Sequence, residues 1–287
     1  MLIEVKSLVK SYGDIHAVKG INFTVTKGSL FSFLGTNGAG KSTTISMLTT
    51  LLKPTSGTAT IGGYDVLKNP DAVRNLIGIV FQDSVMDEIL TVEENLFVRG
   101  SFYGLKGLNL KHAVKHVIAL TKANGFSKQR YGTLSGGQRR RADIARALIH
   151  TPEILFLDEP TTGLDPKTRQ DVWTLIRNLQ KEKGMTIFLT THYMEEAAES
   201  DEIVVIHKGE IRAQGTPEEL KEQYCTDLLK ITTTTGKREI YNISKTTDAL
   251  PILDKKREQI AHVEIISGTL DDVFLNLTEG FENEHAH

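Results

Sequence analysis

The sequence has one cysteine, Cys225, so no intrachain disulfide can form, and the lack of a disulfide framework fits a reducing compartment. No motif surrounds Cys225, which reads as a small residue near a domain boundary rather than as a catalytic thiol. Long hydrophobic runs are missing too. Ile154 to Leu157 and Ile203 to Ile206 fall far short of the roughly 20 apolar residues that a spanning helix needs. If the protein works at a membrane, another chain crosses it. The N-terminal segment Leu2 to Val9 has no apolar stretch of signal-peptide length, so secretion is not expected. Charge of one sign is also lacking: 34 Lys and Arg stand against 36 Asp and Glu, which offers no argument for nucleic acid or anionic lipid as the main partner. No segment repeats, and no sustained heptads occur between Ser42 and Leu134.

What is present is alternation. Short β-branched runs at Leu2 to Val5, Ile21 to Val25 and Leu30 to Leu34 read as strands in an N-terminal β region. Ala113 to Leu120 and Gln138 to Ile149 have helical spacing. Ile154 to Leu157, Thr186 to Thr190 and Ile203 to Ile206 are continuous apolar runs of strand length, as expected of buried parallel strands. Helical segments around Lys167 to Lys183 and Met194 to Ser200 separate them, the order of an α/β layered domain. Residues 84–150 show few strand signals and read as a mostly helical insertion. After Pro217 the pattern changes to a polar β-like stretch (Leu228 to Tyr241), a helical stretch broken near Pro251, a strand at Val263 to Ile266 and a final helix. That helix carries Leu270, Val273, Phe274 and Leu277 at helical spacing, and Thr269 with Asp272 resembles a capping box. The expected division is a main domain over 1–220 and a small α+β appendage over 221–287, frayed after Glu279.

Residues 35–42 satisfy the G-x-x-x-x-G-K-[ST] pattern between a strand and an apolar-periodic helix, the context that a phosphate-binding loop requires. Gly35, Thr36, Asn37, Gly38, Ala39 and Gly40 let successive backbone N–H groups converge on phosphate oxygens at a helix N-terminus. Lys41 then reaches the terminal phosphates and Ser42 offers a hydroxyl to Mg²⁺, with Thr43 next in the same turn. A chance glycine-rich turn is the plainer alternative, and the flanking elements weigh against it. Downstream, Ile154 to Leu157 runs straight into Asp158 and Glu159, so a buried strand delivers two carboxylates to its C-terminal end, where open α/β sheets bind ligands. Asp158 fits the metal-side carboxylate. Glu159, pointing elsewhere because side chains alternate, fits a general base acting on water.

Any P-loop NTPase could show those features. Leu134 to Gln138 reads LSGGQ, and here the chain resembles the ABC ATPase family, whose signature is this pentapeptide. Ser135 and Gln138 form an S-x-x-Q capping box, and Gly136 and Gly137 expose N–H groups at a second helix N-terminus. The resemblance implies that this second anion site faces the γ-phosphate held by another subunit, and hence a dimer with ATP between two such chains. It also implies roles for four further residues. Tyr12 matches the aromatic residue that stacks on adenine. Gln82 matches the Q-loop glutamine that contacts Mg²⁺ or the lytic water, Asp165 the D-loop residue at the dimer interface, and His192 the switch histidine at the γ-phosphate. Thr36 departs from the family's usual proline but still contributes a backbone N–H. The resemblance covers Met1 to about Leu220 and implies a P-loop NTPase core of ABC type with an N-terminal antiparallel β region and a helical subdomain. Arg139 to Arg141, which could be mistaken for a nucleic-acid patch, reads as a solvated or interface face of a helix.

TVEENL at 91–96, FYGL at 102–105 and TLDDVF at 269–274 look like the daunorubicin-resistance type of exporter ATPase, implying a separately encoded membrane subunit and residence on the inner face of the cell membrane through it. The alternative within transport is an importer subunit. A non-transport ABC ATPase is the alternative outside it, but the translation type carries two cassettes and the DNA-repair type long coiled coils. A subunit that binds ATP without turnover would not be expected to keep both Glu159 and His192.

Overall fold

A computed structural model describes residues 1–284 of the chain. The N-terminal half opens with β1 (Ile3–Tyr12) and β2 (Ile15–Val25), a long hairpin turning at Gly13. Then come β3 (Leu30–Leu34), α1 (Lys41–Leu48), β4 (Ser56–Ile61), β5 (Tyr64–Asp65), α2 (Pro70–Leu76) and β6 (Ile77–Val80). Helices α3 (Val92–Phe102), α4 (Gly107–Leu120) and α5 (Gly136–Leu148) fill the middle, and among the described residues of 84–150 the only β pairing is the single bridge Thr91 to Arg130. There follow β7 (Ile154–Asp158), α6 (Pro166–Lys183), β8 (Thr186–Thr191), α7 (Met194–Ala197), β9 (Glu202–His207), β10 (Glu210–Gly215) and α8 (Pro217–Tyr224). The chain ends with β11 (Asp227–Thr233), β12 (Arg238–Ile243), α9 (Ala249–Lys256), β13 (Ile260–Ile266) and α10 (Leu270–Glu284).

Three sheets result. One runs β2-β1-β4-β5, all antiparallel, and the central one runs β10-β9-β3-β8-β7-β6 with five parallel strands and β10 antiparallel at one edge. The apolar runs of β7, β8 and β9 are buried on both faces, as continuous hydrophobicity demands of parallel strands. The first sheet packs on the central one through aromatic rings: Phe188 of β8 lies 5.1 Å from both Phe31 and Phe156, and Phe23 of β2 lies 5.6 Å from Phe31. Each such buried side chain contributes about 1.5–3 kcal/mol of transfer free energy.

At its opposite edge, the central sheet is closed by side chains rather than by another strand. The backbone carbonyls of Phe81, Ile79 and Ile77 meet Arg140, Arg146 and His150 of the α5 segment at 2.7, 2.6 and 3.0 Å. Arg140 is therefore buried within the chain, which corrects the expectation of a solvated or interface face at that position; only Arg139 and Arg141 keep partial exposure.

The stretch 228–241 is a hairpin of two strands, β11 and β12, turning at Gly236. With β13 they form the third sheet, covered on one face by α9 around Leu229, Ile231 and Ile243. Helix α10 leaves that sheet and buries Leu270, Val273, Phe274 and Leu277 against Leu34, Ile203 and Leu220 of the main body. Its start carries the capping box, with Thr269 Oγ1 accepting from Asp272 N and Asp272 Oδ2 accepting from Thr269 N at 2.8 Å. The helix continues to Glu284, so the fraying expected after Glu279 is not seen in the backbone as far as that residue; its remainder lies outside the described residues.

Candidate functional site

Parallel register brings the site together. Leu34 at the end of β3 pairs with Thr191, and Asp158 at the end of β7 pairs with Thr190, so three strands release their next residues at one edge of the sheet. Those residues are the glycine-rich loop, Glu159 and His192.

The loop hands the chain to α1 at Gly40, whose φ of 107° is open to glycine and strained for other residues. No side chain caps α1, which leaves its first-turn N–H groups available to an anion. Thr36, Asn37, Gly38 and Ser42 are exposed, while Gly35, Ala39 and Gly40 are buried and Thr43 is half-buried. Lys41 is buried and folds back over the loop, donating to Gly35 O at 2.8 Å and Thr36 O at 3.1 Å.

Lys41 Nζ also lies 3.3 Å from Glu159 Oε1, and His192 Nδ1 approaches that same oxygen at 3.3 Å. The other oxygen, Oε2, accepts from Thr162 Oγ1 at 3.2 Å. Burial pushes the Glu159 carboxyl up, but Lys41 and His192 outweigh it and hold the group below its ordinary range, so it is an anion at neutral pH. Its backbone stands at φ 45°, a strained conformation for a residue with a Cβ. Asp158 accepts from Thr190 Oγ1 at 2.5 Å and from Ser42 Oγ at 3.3 Å.

The other sequence candidates stand apart from this cluster. Tyr12 is exposed at the end of β1, with Lys10 Nζ 5.0 Å above its ring. Gln82 is exposed just past β6. Asp165 caps α6 by accepting from Thr168 N at 3.1 Å, and bonding to Thr168 holds its carboxyl below the ordinary range. Ser135 and Gln138 form the reciprocal box that starts α5, with Ser135 N donating to Gln138 Oε1 at 3.0 Å and Gln138 N to Ser135 Oγ at 3.4 Å. Gly136 is exposed, whereas Gly137 is buried so tightly that a Cβ would sit 2.2 Å from the Thr168 methyl. Glycine at 137 is thus required by packing as well as by any anion. Among the described residues no hydrogen bond joins 135–138 to the phosphate loop.

Three contributors escaped the sequence reading. Thr190 not only donates to Asp158 but also accepts from Glu159 N at 3.1 Å, which orients both carboxylates from one strand end. Glu196, 3% exposed, accepts from the hydroxyls of Thr161 and Thr191, tying the segment after Glu159 to the residue before His192. Arg140 donates to Glu159 O at 3.2 Å. Hydroxyls inside apolar strands and a carboxylate in a short helix carry no pattern that distinguishes them, and only their geometry gives them away.

A divalent ion is suited to this donor set. Ser42 and Asp158 are hard oxygen donors 3.3 Å apart, and no cluster of three or more His, Cys, Asp or Glu among the described residues could hold a metal unaided. A hydroxyl beside one carboxylate is the kind of oxygen pair to which a hard cation such as Mg²⁺ binds along with water and substrate phosphates.

Residues 18–162 match the ABC transporter family. The chain is 44% identical over 233 residues to the daunorubicin/doxorubicin resistance ATP-binding protein DrrA of Streptomyces peucetius, an alignment covering 80% of this chain and 69% of that one. It is 40% identical to the Nod factor export ATP-binding protein I of a Rhizobium species, over 77% of this chain and 73% of that protein. Its fold matches the dimeric post-hydrolysis structure of the ATP-binding cassette MJ0796 bound to ADP and Pi with a TM-score of 0.68 at 29% identity, over 75% of this chain and 98% of that one. With the glycine-rich loop, the paired carboxylates and the signature helix on one such fold, the chain belongs to the ABC transporter family as an ATP-binding and ATP-hydrolysing subunit.

Proposed function

We propose that this subunit powers export by a separately encoded membrane protein, and that two ATPase subunits close on ATP to do so. The observation that carries the chemical reading is the convergence of Lys41 and His192 on one oxygen of Glu159. An incoming γ-phosphate competes for Lys41 and His192, and Glu159 is then left as the carboxylate that takes a proton from the attacking water. The α1 amides and Lys41 hold the phosphate chain, while Tyr12 offers a ring to the adenine. Ser42 and Asp158, with Gln82, would hold Mg²⁺, which neutralises phosphate charge and orients the terminal group. Ser135, Gly136 and Gly137 serve the neighbouring subunit's nucleotide, with Gln138 holding their helix start and Asp165 lying at the interface.

Export is supported by what the relatives are named for, drug resistance in one and Nod factor export in another. Among the described residues no helix is long and apolar enough to cross a membrane. On this reading force passes to another chain, and a cleft of 480 Å³ suits its docking. The cleft lies beside Phe81, the residue before Gln82, and Arg99, Tyr103, Arg146 and the 75% exposed Phe102 line it. An apolar rim over arginines fits a short amphipathic segment of the membrane protein, which would place this chain at the inner face of the membrane. Residues 221–287 form the accessory part, with α10 as the strap that fixes it to the ATPase over 1–220. The test is to isolate the membrane protein that copurifies and to assay which compounds stimulate ATP hydrolysis by the complex. Copurification with a substrate-capturing protein and an importer-type membrane chain would overturn export.

A further inference from the structure

Arg140 sits on the first turns of α5, three residues past Gly137, and is 7% exposed. An arginine so buried needs its charge shared and its donors filled. Asp143 on the same helix supplies charge, since burial works against the guanidinium and Asp143 is the foremost group offsetting it. The two terminal nitrogens are divided between different segments. Nη1 donates to Phe81 O at 2.7 Å and Nη2 donates to Glu159 O at 3.2 Å. The first acceptor precedes Gln82, and the second belongs to Glu159, the proposed base.

Glu159 is held from every side. Its N–H is taken by Thr190, its carboxylate by Lys41, His192 and Thr162, and its carbonyl by Arg140, with a longer approach from Thr162 N at 3.4 Å. A left-handed backbone at a residue with a Cβ persists only where its surroundings hold it there. The Arg140 bond restrains the peptide that follows Glu159, and through it the direction of the Cα–Cβ bond that aims the carboxylate.

We propose that Arg140 is a positioning residue for hydrolysis, a fork that ties the signature helix to the Gln82 segment and to the backbone of Glu159. A rotation of α5 then reaches the base directly, without passing through the nucleotide. The inference rests on the reading of Glu159 as the base. Arginine is required because its planar fork presents two donors in fixed directions, whereas a lysine ammonium is a point donor on a flexible stem.

The test compares Arg140→Lys, Arg140→Met and Glu159→Gln in the full chain. ATP affinity, KM, kcat, melting temperature and the amount of dimer formed on adding ATP are measured for each. Loss of a charged hydrogen bond that acts on the base should lower kcat about ten- to a hundredfold in Arg140→Met. ATP affinity and KM should stay within about threefold, since no contact of Arg140 reaches the phosphate loop. Arg140→Lys should restore the melting temperature more fully than it restores kcat. Slow hydrolysis with intact binding should also make Arg140→Met accumulate ATP-bound dimer, a gain that mere loosening of the fold does not produce. Wild-type kcat in both Arg140 variants while Glu159→Gln is silent overturns the inference alone. So does a loss of ATP affinity as large as the loss of kcat. Full hydrolysis by Glu159→Gln overturns the base assignment and the inference with it.

Discussion

His192 Nδ1 lies 3.3 Å from Glu159 Oε1, on an oxygen that Lys41 Nζ reaches at the same distance. The carboxylate is therefore aimed and charged before any water reaches it. On the proposed role of Glu159 as the base, Glu159→Gln keeps the shape and removes the proton acceptor, so hydrolysis should fall about 10²- to 10⁴-fold while ATP binding persists. Phosphate release measured beside equilibrium ATP binding checks this, and gel filtration with ATP should show a dimer that does not come apart.

Ser135→Arg places a long cation on an exposed helix start that makes no hydrogen bond to the phosphate loop among the described residues. ATP binding to the isolated chain should be unchanged. Turnover should drop by about two orders of magnitude or more, as when a donor to transition-state charge is lost. Loss of nucleotide binding instead would mean that the signature serves its own chain's ATP.

Glu196 accepts from Thr161 and Thr191 with both oxygens, and a glutamine there has only one acceptor oxygen. Glu196→Gln should cost about 1–3 kcal/mol of stability by leaving a buried hydroxyl poorly matched. Chemical denaturation of this variant, of Thr191→Val and of the pair should give a non-additive cycle, because the three residues share one network.

His150 stacks on Tyr103 with ring centroids 3.8 Å apart, and burial pulls its imidazole down to about 4 despite the bond to Ile77 O. The unfolded chain protonates this histidine near pH 6.5, well before the folded one does. Stability from this group is complete above about pH 6.5 and declines as pH falls towards 4, by on the order of 2–3 kcal/mol in all. Urea denaturation at pH 7 and pH 5 should show a shallower pH dependence in His150→Phe than in the unaltered chain, whatever the variant's stability at neutral pH.

The central sheet was legible because β7, β8 and β9 are unbroken apolar runs of strand length, a pattern that only burial on both faces explains. The meeting of Lys41, Asp158, Glu159 and His192 is legible in part, since Asp158, Glu159, His192 and the loop that leads to Lys41 lie at or just past strand ends and parallel strands end together. The hairpin of β11 and β12 looks like one stretch in the sequence because its turn follows a run of threonines, residues equally at home in strands. The burial of Arg140 is not legible, because a charge in a run of charges suggests a solvated or interface face. Its two backbone acceptors come from segments 59 and 19 residues away, which no local pattern encodes. The return of α10 to the main body had a similar cause: its apolar stripe announces that it packs, without naming the surface.

The row of α5 side chains along β6 has a consequence for how the protein behaves in a crowded cell. An extended segment from an unfolded neighbour aggregates most readily by adding itself to a bare sheet margin, where carbonyls and amides are still unsatisfied. Along β6 and at Phe81 just past it, three of those carbonyls are already engaged by Arg140, Arg146 and His150. A foreign strand arriving there would have to displace two buried cations before forming its first rung. The side chains that close this edge thereby also guard the sheet against seeding a fibril.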